Sequence, residues 1–154
     1  MRRGTRVTIV VAVLVAVPAA TAAPAKMPSC STVSPQLIKS ALGLAVPAPQ
    51  ATPNGSVLVC TYGKIAQAKQ MIVRFETGES AAAFATGRKQ FDAHGEPTTT
   101  FAGLGVPAYS SVFGSGVYVN STLAALKSST ELLVTAPAPL ASVAVLVKKT
   151  LAAL

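Results

Sequence analysis

The chain is 154 residues long and carries 13 lysines and arginines against 5 acidic residues, a formal net charge of +8. This length suits a single domain. The basic residues are scattered and only 5% of the chain is aromatic, so the composition argues against nucleic-acid binding, which depends on a basic stripe interleaved with stacking side chains.

Residues 1–22 have the pattern of a cleaved secretory signal peptide: three arginines, an apolar run at 7–17, and then small residues. The run is too short to cross a hydrocarbon core of about 30 Å, which argues against a membrane anchor and against stable membrane insertion after cleavage. Cleavage is predicted after Ala22, with Ala23 as the alternative. The mature chain then has a formal charge of +5, because three basic residues leave with the signal, and it is expected to be periplasmic or extracellular.

Two cysteines, Cys30 and Cys60, remain in the mature chain. An exported chain meets an oxidising compartment, so a disulfide between them is predicted. It would stabilise the fold by about 3–4 kcal/mol by closing a loop of about thirty residues. The alternative, a catalytic or metal-binding thiol, lacks partners, because the chain has one histidine and no paired-cysteine motif. No metal site and no cofactor are predicted.

An extended tail is predicted over 23–33, followed by one folded domain over 34–154. A serine and a proline suit the cap and the first turn of a helix, which is expected over Pro35–Leu42. Three prolines and an Asn-Gly pair within 45–56 favour a loop.

Two strands are predicted after this loop. The β-favouring run at 57–62 indicates a central strand. Alternation at 69–76 predicts a half-buried antiparallel strand with Ile72, Arg74 and Glu76 on one face.

Residues 77–80 are predicted to open a second helix, with Glu79 in its first turn, where the helix dipole favours an acid. Gly95 is expected to end this helix. Its core face is predicted to consist of four side chains, Ala81, Phe84, Ala85 and Phe91.

The second half of the chain favours strands. A short strand is predicted at 98–101, a strand at 108–113, a long strand at 117–126, and its antiparallel partner at 130–135. The Gly-Ser-Gly at 114–116 has the composition of a hairpin turn and not of a hydrolase nucleophile elbow. The predicted order α-β-β-α-β-β-β-α, with about five strands and three helices, indicates an α+β domain with a mostly antiparallel sheet.

A final helix is expected to follow two prolines and to reach the last residue. Lys148 and Lys149 lie on its polar side. Val145 and Leu146 widen its apolar arc, so the helix is either sandwiched in the core, which is favoured, or offers a surface to a partner. Five apolar side chains form its predicted core stripe: Leu140, Val143, Val147, Leu151 and Leu154.

Besides the signal peptide, four short features stand out along the mature chain: a cysteine before the first helix (Cys30), Cys60-Thr61-Tyr62 in a strand, the loop Gly103-Leu104-Gly105 with Ala108-Tyr109 behind it, and a closing helix rich in alanine, leucine and lysine. Together they resemble a broad group of small exported bacterial domains of uncharacterised function. Some of that group are similar in topology to PsbP-like α/β/α sandwiches, which are accessory binding proteins. Members often carry an aspartate after the Gly-Leu-Gly, whereas Val106-Pro107 stand here. The resemblance implies no catalytic residues.

The same loop is one candidate site of interest. Gly103, Leu104 and Gly105 leave room for a ligand to approach the backbone, although such glycines more often provide a positive φ at a turn. The missing aspartate argues against a cation or another polar ligand there.

Candidate catalytic groups are few. His94 and Asp92 are two residues apart, so on a helix they point to different faces, and a histidine there is typical of a helix C-terminus. Glu76 and Glu131 can lie on neighbouring strands, as a two-carboxylate hydrolase requires, but solvation of the sheet surface is the favoured role of both. No catalytic residue is predicted.

These patterns predict an exported, non-enzymatic domain that binds a small molecule or a protein in the cell envelope or outside the cell. The first alternative is a structural protein that self-associates through its C-terminal helix. A carboxylate hydrolase is the less favoured second alternative.

Overall fold

The computed structural model describes residues 26–64, 70–114 and 119–154. The predicted signal peptide, the candidate cleavage positions Ala22 and Ala23, and the start of the predicted tail lie outside the described residues. The described helices are a 3-10 helix at Cys30–Val33, α1 (Pro35–Leu42), α2 (Ala81–Ala93) and α3 (Leu140–Ala152). The described strands are β1 (Gln50–Asn54), β2 (Val57–Tyr62), β3 (Met71–Thr77), β4 (Thr99–Thr100), β5 (Ala108–Phe113), β6 (Asn120–Lys127) and β7 (Thr130–Ala136).

The seven strands form one antiparallel sheet in the order β1-β2-β3-β7-β6-β5-β4. This confirms the predicted α+β class, with seven strands in place of about five. β7 occupies the centre of the sheet, whereas β2, predicted to be central, lies next to an edge. The predicted turn at 114–116 joins β5 to β6 and falls mostly outside the described residues.

Strand β1 lies inside the segment 45–56, which was predicted to be a loop. It is an exposed edge strand that pairs with β2 along its whole length. An edge strand tolerates Pro53 because one side of its backbone makes no ladder hydrogen bond. Gly55 provides the positive φ, 58°, of the tight turn between the two strands. The prolines of this segment therefore mark a sheet edge.

The end of the predicted extended tail is a 3-10 helix, and it is held against β2 at two points. The predicted disulfide joins Cys30 to Cys60, with 5.6 Å between their Cα atoms. Two residues further along β2, the hydroxyl of Tyr62 donates to the carbonyl oxygens of Cys30 and Val33, at 3.1 and 2.5 Å. Together with the disulfide, these hydrogen bonds hold the segment on the sheet.

One face of the sheet is covered by α1 and α3, and the main hydrophobic core lies there. Alternate residues of the central strands point into it, among them Val73, Phe75, Leu123, Leu132 and Val134. This is the period-2 pattern of a sheet whose two faces meet different surroundings.

Helix α3 packs on this core with Leu146 fully buried, so the wider apolar arc of the helix faces the sheet. Val143, Val147 and Leu151 are buried as predicted. Leu154 was predicted to belong to the core stripe but is 37% exposed, because the helix ends at Ala152.

Helix α2 covers part of the opposite face through its two large apolar side chains. Phe84 and Phe91 pack around Tyr109, with ring centroids 5.1 and 5.8 Å from the tyrosine ring. Ala81 and Ala85 were predicted to face the core and are exposed instead. The helix contacts the sheet through the side chains of Phe84 and Phe91. The short side chains of Ala81 and Ala85 do not reach the sheet and face solvent.

The start of α2 also differs from the prediction. Ser80 is the cap residue, and its Oγ accepts a hydrogen bond from the backbone N–H of Ala83 at 3.1 Å. Glu79 therefore precedes the cap and does not lie in the first turn. Its own N–H donates to the carbonyl of Ser129 at 2.9 Å, which ties this end of α2 to the turn between β6 and β7.

Two findings bear on where the protein resides. The Cys30–Cys60 disulfide indicates an oxidising environment outside the cytoplasm. Within the described ranges, no helix is both long enough and apolar enough to cross a bilayer.

Candidate binding groove

A groove of about 850 Å³ lies between α2 and the sheet face that this helix covers only in part. The floor is made by residues of the strands: Arg74, Glu76, Tyr109, Glu131 and Leu133. The helix side includes Ala83, Gly87 and Phe91. The volume falls within the range of about 300–1,000 Å³ that is typical of small-molecule sites.

Strand register explains why these floor residues meet. Tyr109 pairs with Ala124, Ala124 with Leu133, and Leu133 with Arg74, so one row of side chains crosses β5, β6, β7 and β3. Paired residues in antiparallel strands share a face. In the next row on that face, Glu131 of β7 is paired with Glu76 of β3.

The groove is the acidic region of a basic chain. Four of the five acidic residues line it: Glu76, Glu79, Glu96 and Glu131. Among the described residues that line the groove, Arg74 is the one lysine or arginine. With these groups ionised the lining carries four negative charges against one positive charge, whereas the whole chain is positive.

Glu131 and Arg74 form an ion pair at the floor of the groove. Glu131 is only 2% exposed, so solvating the sheet surface, the role favoured from the sequence, is wrong for this residue. Its Oε1 accepts from the Nη2 of Arg74, whose Nη1 lies 3.3 Å from the Oε2 of Glu76. Burial lowers the pKa of Arg74, and the charge and hydrogen bond of Glu131 more than offset this, so the net pKa is raised. The guanidinium thus stays charged between two carboxylates.

Tyr109 is buried to 99% and its hydroxyl lies at the groove. Among the described residues, no donor or acceptor forms a hydrogen bond with this hydroxyl. A Cβ atom added to Gly87 would lie 3.9 Å from it, so the absence of a side chain on α2 leaves the hydroxyl uncovered. Burial, and then the charge of Glu131, raise the pKa of Tyr109 to about 12.

Glu79 joins the cluster from the segment before α2. Desolvation raises its pKa first, and the charges of Glu76 and Glu131 raise it further, against an opposite effect of Arg74. At Glu79 the effect of the two carboxylates is therefore larger than that of the guanidinium.

His94 and Asp92 have separate surroundings. His94 lies at the C-terminal cap of α2 and lines the groove. Asp92 accepts from the backbone N–H and the hydroxyl of Thr98, at 2.7 and 2.9 Å, and these bonds lower its pKa. The two side chains therefore do not form a dyad.

The loop Gly103-Leu104-Gly105 lies on the α3 side of the sheet, away from the groove. Gly103 and Gly105 have φ values of 96° and 73°, which favour glycine at a turn. Leu104 packs against the main core. It also lines a cleft of about 230 Å³ with Lys127 and Lys148.

Three floor residues were not predicted as site residues: Arg74, Tyr109 and Leu133. Arg74 carried a signal in the sequence, since the alternation at 69–76 places it with Glu76 on the face away from the core. Tyr109 was noted only for its position behind the Gly-Leu-Gly loop, because its role at the groove depends on the packing of β5 against α2. No cluster of three histidine, cysteine, aspartate or glutamate side chains arranged to hold a metal occurs in the described part of the chain.

Fold and site together define a three-layer α+β sandwich with an acidic groove on its less covered face. In comparisons with known proteins, no protein-family profile, no curated protein and no solved structure matched this chain. The resemblance to small exported bacterial domains and to PsbP-like sandwiches therefore stays a prediction, and the assignment of residue roles rests on the geometry of the groove.

Proposed function

We propose that this protein is an exported, non-enzymatic domain that binds a small molecule in the groove between α2 and the sheet. The observation that carries this proposal is the groove itself, a concavity of about 850 Å³ with polar groups on its floor. Its walls include Phe91 and Leu133, which supply apolar contact area. An apolar wall with a few fixed polar groups is the usual composition of a ligand site.

The proposed site is rigid on its sheet side. The floor residues lie on β3, β5 and β7, strands that are hydrogen-bonded within the sheet and backed by the main core. A ligand therefore meets side chains whose positions are fixed before it arrives, which lowers the entropic cost of binding.

A carboxylate hydrolase is the second candidate, and one observation favours it. Glu76 and Glu131 face each other on β3 and β7, within one groove. Against this role, the guanidinium of Arg74 contacts both carboxylates, so it occupies the space between the two groups that a hydrolase needs on either side of its substrate.

Self-association through α3 is the third candidate. The large apolar side chains exposed on that helix and the residues after it are Val145, at 45%, and Leu154, at 37%. Leu146 is buried in the core. A dimer built on α3 therefore has a small apolar area to bury compared with a typical stable interface.

The proposal is tested by filling the groove. Ala83 is an exposed residue on the helix side of the groove, and Ala82 is an exposed neighbour that does not line it. In ligand-observed NMR with a library of amines, carboxylates and neutral fragments, we expect Ala83→Trp to abolish binding and Ala82→Trp to retain it. Binding that survives Ala83→Trp would refute the groove as the site.

Turnover in a hydrolase panel that is lost in Glu131→Gln would refute the non-enzymatic role.

A further inference from the structure

We infer that the groove selects a ligand that carries a cationic amine next to an apolar body. This inference rests on the proposed function and adds the chemical class of the ligand. Three features of the groove lead to it: its charge, the uncovered hydroxyl of Tyr109, and the aromatic wall.

The charge of the lining favours a cation. The described lining contains four carboxylates and a single guanidinium, and that guanidinium is already paired with Glu131 and Glu76. An anionic ligand would compete with Glu131 for Arg74 and would leave a carboxylate that is 2% exposed without its partner, which is costly. A cation avoids both costs and is attracted by the carboxylates that Arg74 does not neutralise.

The hydroxyl of Tyr109 is a second, independent sign of a ligand. It belongs to a side chain that is 1% exposed, it lines the groove, and no described residue is hydrogen-bonded to it. The hydroxyl is not sealed from solvent and faces the open groove, where a tyrosine hydroxyl without a protein partner can accept a hydrogen bond from an ammonium group. Glu131 lines the same groove from β7, with β6 between it and the strand of Tyr109. An ammonium group at the floor can therefore contact the phenol oxygen while the carboxylates of the groove attract it.

The remaining walls suit an apolar body. Phe91, Leu133 and Ala83 line the groove, and Phe91 is held edge-on against the ring of Tyr109. An aromatic or aliphatic group attached to the amine gains contact with these side chains. Phenethylamine is the simplest probe that combines the two parts.

The test compares three probes that differ in charge and share a phenyl ring: phenethylamine, 2-phenylethanol and 3-phenylpropanoate. Binding to the full chain is measured by isothermal titration calorimetry at low salt and again at high salt. We expect phenethylamine to bind at least about tenfold more tightly than the other two probes, with affinity falling as salt screens the carboxylates. Equal or tighter binding of the alcohol or the carboxylate would overturn the inference.

Three substitutions test whether phenethylamine binds in the groove. Tyr109→Phe removes only the hydroxyl and is expected to weaken phenethylamine binding about tenfold. Glu79→Gln is expected to weaken it several-fold. Asp92→Asn removes the one acid that does not line the groove and should leave the affinity unchanged. If Asp92→Asn weakens binding as much as Glu79→Gln does, the amine responds to overall charge and the inference fails.

Failure of the inference and failure of the proposed function are distinguishable. If fragments bind in the groove, as shown by the Ala83→Trp variant, but phenethylamine does not, the inference is wrong and the proposed function stands. If no fragment of any charge binds there, the proposed function fails and the inference fails with it. A thermal melt of each variant shows whether a lost affinity is a folding defect.

Discussion

Two fully buried tyrosines show how much a single hydroxyl depends on its surroundings. Tyr62 donates to two backbone carbonyls and so holds the N-terminal segment on the sheet. Tyr109 is equally buried, but its hydroxyl has no partner among the described residues. The first hydroxyl therefore contributes to stability, and the second is available for binding.

We predict that the same substitution has different effects at these two positions. Tyr62→Phe removes the hydroxyl that donates to the carbonyls of Cys30 and Val33 and should lower the free energy of unfolding by about 1–3 kcal/mol. Tyr109→Phe removes an unpaired hydroxyl and should change it by less than about 0.5 kcal/mol. Equilibrium urea denaturation followed by circular dichroism measures both. Equal losses would show that Tyr109 has a structural hydrogen bond.

At the scale of elements, the sequence predicted most of what depends on local pattern. The alternation at 69–76 correctly predicts the two faces of β3, and the serine–proline pair correctly predicts the start of α1. Segment 45–56 was misjudged because prolines mark both loops and sheet edges, and only pairing with β2 distinguishes the two.

The groove was predictable only in part, for the same reason. The face that carries Arg74 and Glu76 follows from alternation along one strand. Burial of Glu131 depends on β7 lying at the centre of the sheet beside β3, a long-range pairing without a local signal. The face of α2 was ambiguous as well, because alanines fit either side of a helix and only its two phenylalanines show which side packs.

We predict that α2 is attached to the sheet through its aromatic residues and not through its alanines. Phe84 is buried against Tyr109, so Phe84→Ala should lower the free energy of unfolding by about 3 kcal/mol. Ala85 is exposed on the next position of the helix, so Ala85→Lys should change it by less than about 0.5 kcal/mol. Thermal melts of the two variants separate the cases. A large loss of stability in Ala85→Lys would show that Ala85 packs on the core, as the sequence predicted.

At the scale of the whole molecule, charge is divided between the two helix layers. All five acidic residues lie between positions 76 and 131, and four of them line the groove. The opposite layer carries Lys39, Lys148 and Lys149, and Lys127 donates to the carbonyl of Leu151 near the end of α3, at 2.7 Å. Helix α2 also carries Arg88 and Lys89, so with Arg74 the groove side has three cations against the five acids. The field across the molecule therefore attracts cations to the groove side and anions to the α1–α3 side.

High pH is expected to destabilise the whole fold through the two buried tyrosines. Burial raises the pKa of Tyr62, and burial with the charge of Glu131 raises that of Tyr109, in both cases from 10.0 to about 12. An acid with a higher pKa in the folded state keeps its proton there, while the unfolded chain releases it. The stabilisation is complete below pH 10.0 and is lost as the pH rises towards about 12. The slope is about 1.4 kcal/mol for each pH unit and each tyrosine.

Comparing the unsubstituted chain with Tyr109→Phe separates the contribution of the Tyr109 phenol from that of other groups that titrate in the same pH range. Urea unfolding curves at pH 8, 10 and 11 give the free energy of unfolding of the unsubstituted chain and of Tyr109→Phe. We expect the loss between pH 10 and 11 to be smaller in the variant by about 1 kcal/mol, because one of the two buried phenols is gone. An identical loss in both proteins would mean that folding does not raise the pKa of Tyr109.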